Sequence, residues 1–172
     1  VPAARLDADW DGLTDSEETL QYKTDPLNRD TDAGGVADGH EVIEDKTDPL
    51  SKPDDLELYE LHIEFAQDSA EVAAQYYGEL DVIGKILASE PSATARIEGH
   101  IDERGDSSSS KSMRLTERRA ESVRNYLAGD KWKIARDRME AVGYGFGRPK
   151  EKPDLDNGNL ENRRIEIYIR RP

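Results

Sequence analysis

The sequence predicts an α+β domain in which a mixed β-sheet carries helices on one face, preceded by an irregular acidic repeat. Three observations predict it. Apolar residues alternate at period two in several short stretches, and these are separated by segments with helical spacing. Charge is partitioned, with 16 acidic against five basic residues in positions 1–56 and 22 against 19 in the rest. The first third also repeats itself at a fixed offset.

The 172 residues are 35% hydrophobic and 36% charged, with a mean hydropathy of −0.87, which suffices for one core but not for two large ones. No run approaches the roughly 18–20 apolar residues of a membrane helix. Because the sequence begins at Val1 and not at Met, it reads as a processed chain or an excised fragment. Any signal peptide, lipid anchor or membrane domain would then lie upstream. Cysteine is absent, which excludes disulfide and thiol chemistry. A net charge of −14 repels phosphate backbones, so nucleic acid is not an expected partner, whereas clustered carboxylates suit hard cations.

Asp7-Ala8-Asp9-Trp10-Asp11-Gly12-Leu13 through Glu18 returns as Asp30-Thr31-Asp32-Ala33-Gly34-Gly35-Val36 through Glu41, an offset of 23 residues, and Thr24-Asp25-Pro26-Leu27 returns as Thr47-Asp48-Pro49-Leu50. In a 12-residue calcium loop, oxygens at positions 1, 3, 5, 9 and 12 and the carbonyl at 7 surround the ion, with a glycine at 6. Asp7, Asp9, Asp11, the Leu13 carbonyl, Asp15 and Glu18 fill those places. The second loop offers Asp30, Asp32, the Val36 carbonyl, Asp38 and Glu41, but position 5 is Gly34. A weaker site is expected there, or one completed by water or a neighbouring carboxylate. The period is too short for the flanking helices of an EF-hand. The pattern resembles thrombospondin type 3 repeats, irregular chain wound around calcium. The competing reading is a solvated acidic linker. Lys52-Pro53-Asp54-Asp55 breaks periodic structure and sets a boundary between residues 1–55 and 56–172.

Beyond it, Tyr59, Leu61, Ile63 and Phe65 alternate with polar residues as a half-buried strand. Ser69 is placed to cap a helix reaching Ser89, with Val72, Tyr76, Leu80, Ile83 and Leu87 on one face and Pro91 beyond its end. Ala95, Ile97 and Gly99 give the second strand. Leu115 to Ala128 gives a second amphipathic helix opening near Ser112, Arg138 to Tyr144 a third strand, and Ile165, Ile167 and Ile169 a fourth. Trp10, Trp132 and the Tyr76-Tyr77 pair read as packing residues and His100 as a strand-end structural residue. His40 and His62 carry no motif, and Lys150 to Asn159 reads as a polar loop.

Five motifs in this half occur in a specific order: Phe65-Ala66-Gln67-Asp68-Ser69-Ala70, Gly99-His100-Ile101-Asp102-Glu103-Arg104-Gly105, Leu115-Thr116-Glu117-Arg118-Arg119-Ala120, Val142-Gly143-Tyr144-Gly145 and Asn162-Arg163-Arg164-Ile165-Glu166-Ile167. From Leu58 to Arg170 the chain resembles the OmpA-like C-terminal peptidoglycan-binding domain. The resemblance implies noncovalent binding of the diaminopimelate residue of peptidoglycan stem peptides. By position it assigns Asp102 and Arg119 as the principal ligand contacts, with Gly99 allowing close approach, Ile101 and Ser112 at further contact positions, and Arg163 or Arg164 lining the site. Asp102 would accept from the diaminopimelate ammonium and Arg119 grip the adjacent carboxylate in a bidentate pair, which disfavours lysine. The chain departs from the family pattern at Ile101, which replaces a threonine, at Ser112, which replaces an asparagine, and in a loop Asp106 to Lys111 two residues longer than usual.

The combined expectation is a noncovalent wall anchor on the periplasmic face of a Gram-negative-type outer membrane. It would be joined to that membrane through an upstream segment and carry a calcium-stiffened N-terminal stalk. The alternative is a calcium-dependent interaction module of an envelope complex that keeps the fold without the ligand. No HExxH, GxSxG or P-loop motif is present, so an enzyme is not expected.

Overall fold

The computed structural model describes residues 6–104 and 108–172. Four strands, β1 (Glu57–Leu61), β2 (Thr94–His100), β3 (Met139–Gly143) and β4 (Arg164–Arg170), form one sheet in the order β1-β4-β2-β3. β4 runs antiparallel to β1 and β2, with Ile97 opposite Ile167 and Glu98 opposite Glu166. β2 and β3 are parallel, and the connection that such a pair requires is a long helix. The mixed α+β architecture and the order of its elements are those the sequence predicts.

Two helices, α1 (Tyr77–Ser89) and α2 (Ser109–Ala128), cover one face. Leu80, Ile83 and Leu87 from α1 and Ala120, Val123 and Leu127 from α2 meet Ile97, Ile165, Ile167 and Ile169, all essentially inaccessible to water. Full burial of each large aliphatic side chain stabilises by about 1.5–3 kcal/mol, so this layer is the main source of stability. Gly84 admits Trp132 against α1, where a Cβ would collide with the indole.

Both helix starts differ from the sequence reading. α1 begins at Tyr77 and not near Ser69, after a single 3-10 turn at Ala74–Tyr76. The intervening segment is held outside the helix by tertiary contacts, since Arg119 takes the Ser69 carbonyl at 2.8 Å while the Ser69 hydroxyl accepts the Glu71 N–H. α2 begins at Ser109, so Ser112 lies within the helix, its N–H donating to the Ser108 carbonyl. Of the lengthened loop, Asp106 and Ser107 lie outside the described residues.

The opposite face of the sheet is lined with polar residues yet is largely buried. Arg96, Glu98 and His100 of β2 and Arg164, Glu166 and Tyr168 of β4 point there, and Glu98, His100, Arg164, Glu166 and Tyr168 are all buried. What covers them is the acidic repeat. His40 stacks on Tyr168 with ring centroids 3.9 Å apart and its Nε2 lies 2.8 Å from a Glu98 oxygen. Asp45 pairs with Arg96, and Val36 packs with Leu56 and Tyr168. The segment expected as a stalk is seated on the sheet, and its own buried groups complete the charge balance of that face.

The 23-residue offset recurs in the backbone. Asp15–Glu17 and Asp38–His40 are single helical turns, each continued by a five-residue π turn, Glu18–Tyr22 and Glu41–Asp45. Trp10 and Ala33, Gly12 and Gly35, and Lys23 and Lys46 adopt left-handed conformations in matching pairs.

Candidate functional site

The end of β2, the middle of α2 and the segment before α1 border a cavity of about 780 Å³ on the helix side of the sheet. Asp102 and Arg119, far apart in sequence, both line it, with Phe65, Ile101, Leu115 and Arg163. Asp102 is 5% exposed, and Arg163 Nε lies 3.0 Å and Arg104 Nε 3.3 Å from its two oxygens. Gly158, in a left-handed conformation, packs against the same carboxylate, so the loop read as polar reaches Asp102. Arg119 is 8% exposed, donates to the Ser69 carbonyl and stacks 4.7 Å from the Phe65 ring centroid. Burial lowers its pKa, against the pull of Asp68 and Asp102. The cavity thus joins the buried Asp102 carboxylate and the guanidinium groups of Arg104, Arg119 and Arg163 over an apolar floor, with Glu64, Asp68 and Glu161 also in its lining, which suits a ligand bearing both an ammonium and a carboxylate.

Three assigned residues take other places. Gly99 is buried against α2, where a Cβ would collide with the Thr116 carbonyl, so it serves helix–sheet packing and not ligand approach. Ser112 is not among the residues lining the cavity. Arg164 opens β4, directly after Arg163, which caps the short turn before the strand, and it pairs with Glu166 at 2.7 Å on the far side. A second cavity of about 640 Å³ lies there, between repeat and sheet, and includes Trp10, His40, Phe146 and Tyr168.

The buried charges of the far face are mutually compensated. Burial alone would raise Glu98, but hydrogen bonds from His100 and His40 outweigh it and hold the carboxyl far below its usual range. Burial likewise lowers His100. His40 goes the other way: despite the burial penalty, Asp45 and Glu98 raise it to about 9.

The acidic loops are not compensated in this way. Asp7, Asp9 and Asp11 each present an oxygen within 4.8 Å of the others, and Asp11, Glu18 and Asp38 do the same. Asp38 thus reaches the carboxylates of the first loop while its two oxygens accept the Thr31 N–H and hydroxyl of its own loop. Asp15, assigned to the first loop, stands outside both groups and accepts the Ala8 N–H instead. In the second loop Asp32 and Glu41 converge with Asp55, a residue the loop register does not predict. Asp30 directs its two oxygens at the Gly34 and Gly35 N–H groups, as Asp7 does at Asp11 and Gly12. Leu13 and Val36 bury their side chains, leaving their carbonyls as the groups assigned to an ion.

Among the described residues, no Lys or Arg forms an ion pair with these carboxylates. Both oxygens of Asp9 and one each of Glu18, Asp32 and Glu41 are buried without a hydrogen-bond partner. Burial, reinforced by neighbouring carboxylates, raises Asp9 to about 7 and Glu18 and Glu41 to about 8. Burial also raises Asp38 and Asp55 to about 6. Clustered, buried, unpaired oxygens of this kind fit a hard divalent cation. The signal for Asp55 was the gap at Gly34; His40 left none, since an isolated histidine carries no pattern.

A four-stranded mixed sheet under two helices, with a charged cleft at the end of its central strand, defines a small α+β binding module. The chain belongs to the OmpA family, whose profile matches residues 64–163. It is 32% identical over 110 residues to the outer membrane porin F of Pseudomonas fluorescens, covering 64% of this chain and 32% of the porin. It is 34% identical over 105 residues to the peptidoglycan-associated lipoprotein of Legionella pneumophila, covering 60% of this chain and 56% of the lipoprotein. The match thus spans about a third of the porin and just over half of the lipoprotein. Among solved structures, the crystal structure of the peptidoglycan-associated lipoprotein from Burkholderia pseudomallei superposes with a TM-score of 0.55 at 28% identity, covering 74% of this chain and 98% of that one.

Proposed function

We propose that this chain is a noncovalent peptidoglycan anchor of a Gram-negative-type envelope, acting on the periplasmic side of the outer membrane. The carrying observation is the convergence of Asp102, Arg119 and Arg163 on one cleft. Its relationship to peptidoglycan-associated lipoproteins supports the same reading. Diaminopimelate is the ligand that best matches these charges. Its ammonium would displace Arg163 and Arg104 from Asp102, and its carboxylate would accept from the guanidinium groups so released and from Arg119. Lysine would offer the ammonium alone and leave those cations without an anion.

Calcium is proposed for the two acidic loops. Asp7, Asp9, Asp11, Glu18 and Asp38 would hold one ion, with the Leu13 carbonyl. Asp30, Asp32, Glu41 and the Val36 carbonyl would hold a second. The buried, unpaired oxygens of Asp9, Glu18 and Glu41 support this reading, as does the resemblance to thrombospondin type 3 repeats. Bound calcium would cancel the repulsion among these groups and keep the repeat seated on the sheet.

Calorimetric titration of a diaminopimelate stem peptide in calcium buffer tests the anchor reading, with a lysine peptide as control. Saturable binding of the first peptide only, lost in Asp102→Ala and weakened in Arg119→Lys, is expected. No heat at millimolar peptide from the folded chain would refute it and favour an interaction module that keeps the fold without the ligand.

A further inference from the structure

We propose that Asp55 is the missing ligand of the second acidic loop, so that one calcium ion there clasps the repeat to the first strand of the sheet. The inference rests on the calcium reading above and adds to it a residue that lies outside the 12-residue loop.

The first loop places Asp11 at position 5, and the second has Gly34 there. Gly34 lies outside the left-handed region, so its backbone alone does not require glycine. The reason for glycine is spatial. A Cβ at Gly34 would coincide with the Asp55 carboxylate, which occupies the volume that a side chain at this position would fill. Asp32, Glu41 and Asp55 each present an oxygen within 4.8 Å of the others.

A second, independent observation points to a ligand. Glu41 is fully buried; its Oε1 accepts the Thr47 hydroxyl at 3.0 Å, while its Oε2 has no partner. Asp32 Oδ2 is likewise unpaired. None of the three carboxylates joins a Lys or Arg ion pair among the described residues, although Asp45 and Glu44 on the same turn are both paired to arginines. All donors in the group are oxygens, which selects a hard cation. The irregular loop, with the Val36 carbonyl among its assigned ligands, suits calcium better than magnesium with its strict octahedral demand.

The position of Asp55 gives the site its consequence. It directly precedes Leu56, which packs with Val36 and Tyr168, and β1 begins at Glu57. An ion held by Asp32, Glu41 and Asp55 would therefore fix the entry of β1 to the turn that carries Val36 and His40 onto the sheet. The first site has no such connection, because all its carboxylates come from the repeat.

The test titrates calcium alone into the chelator-stripped full chain by calorimetry. The wild type is expected to bind two ions. Asp55→Ala should weaken one site by more than the roughly 10–100-fold that loss of an outer-shell partner costs, leaving the other unchanged. The double variant Gly34→Asp/Asp55→Ala, which returns the carboxylate to position 5 and clears its space, should regain the second ion. Two undiminished sites in Asp55→Ala would overturn the proposal while leaving calcium binding intact. Loss of the ion without recovery in the double variant would also overturn it, since a vacated position 5 would then not be what Asp55 fills. No calcium binding by the wild type would refute the calcium reading itself.

Discussion

Replacing Val36 by alanine measures how far repeat and sheet form one folding unit. Val36 is fully buried between Leu56 and Tyr168, and its side chain, unlike its carbonyl, has no proposed role at an ion. The substitution removes two methyl groups, about 0.8 kcal/mol each by transfer, and the cavity left behind raises the cost to about 2 kcal/mol. For a chain of this size a loss of 1 kcal/mol lowers Tm by about 2–4 °C, so a drop of about 4–8 °C is expected. Differential scanning calorimetry in saturating calcium is the assay. One transition, moving as a whole, is the expected result. Two transitions of which only one moves, or a shift under about 1 °C, would show that the repeat melts independently of the sheet.

Arg163 and Arg164 should separate by face. Arg164→Leu leaves buried Glu166 opposite buried Glu98 without its guanidinium, at a cost of about 3–5 kcal/mol in denaturant unfolding. Arg163→Ala, whose side chain is 35% exposed, should cost under about 1 kcal/mol; equal losses would contradict their placement on opposite faces. The acidic loops set a pH dependence whose sign calcium reverses. Without calcium, the raised pKa values of Asp9, Glu18 and Glu41 contribute stability below about pH 4, and that contribution is lost as pH rises through about 7 to 8. With calcium, which competes with those protons, affinity and calcium-dependent stability should rise over the same window. Urea titrations at pH 5 and pH 8, with calcium and with chelator, check this; a chelated chain more stable at pH 8 would count against it.

The sheet and its helix-side core were legible because isoleucine at every second position of β4 and leucine, isoleucine and valine at helical spacing have few other solutions. The early start drawn for α1 failed because the competing partner, Arg119, is 50 residues from Ser69, and no local pattern announces it. Likewise Asp102 and Arg119 were placed by motif, but the Arg163 and Arg104 contacts on Asp102 depend on a loop whose path the sequence leaves open. Alternation in β2 and β4 correctly separated apolar from polar positions. It could not distinguish a polar residue in water from one that is buried and paired, so the cover over Glu98 and Glu166 was invisible. The repeat register was legible, yet the carboxylates group across it: Asp38 approaches Asp11 and Glu18, Asp15 stands outside both groups, and Asp55 joins Asp32 and Glu41 from beyond the loop.

The charged lining of the covered face has a consequence for how the two parts separate. A cover seated on leucine and isoleucine would expose an adhesive surface whenever it lifted, and neighbouring chains would stick there. Here the lifted cover would uncover mainly Arg96, Glu98, His100, Arg164 and Glu166, groups that water accepts readily, with Tyr168 as the largest apolar exception. Such a seam can open and reseat without inviting aggregation, and the same charges dictate what is able to reseat. His40 and Asp45 are the groups that meet Glu98 and Arg96 when the cover is seated.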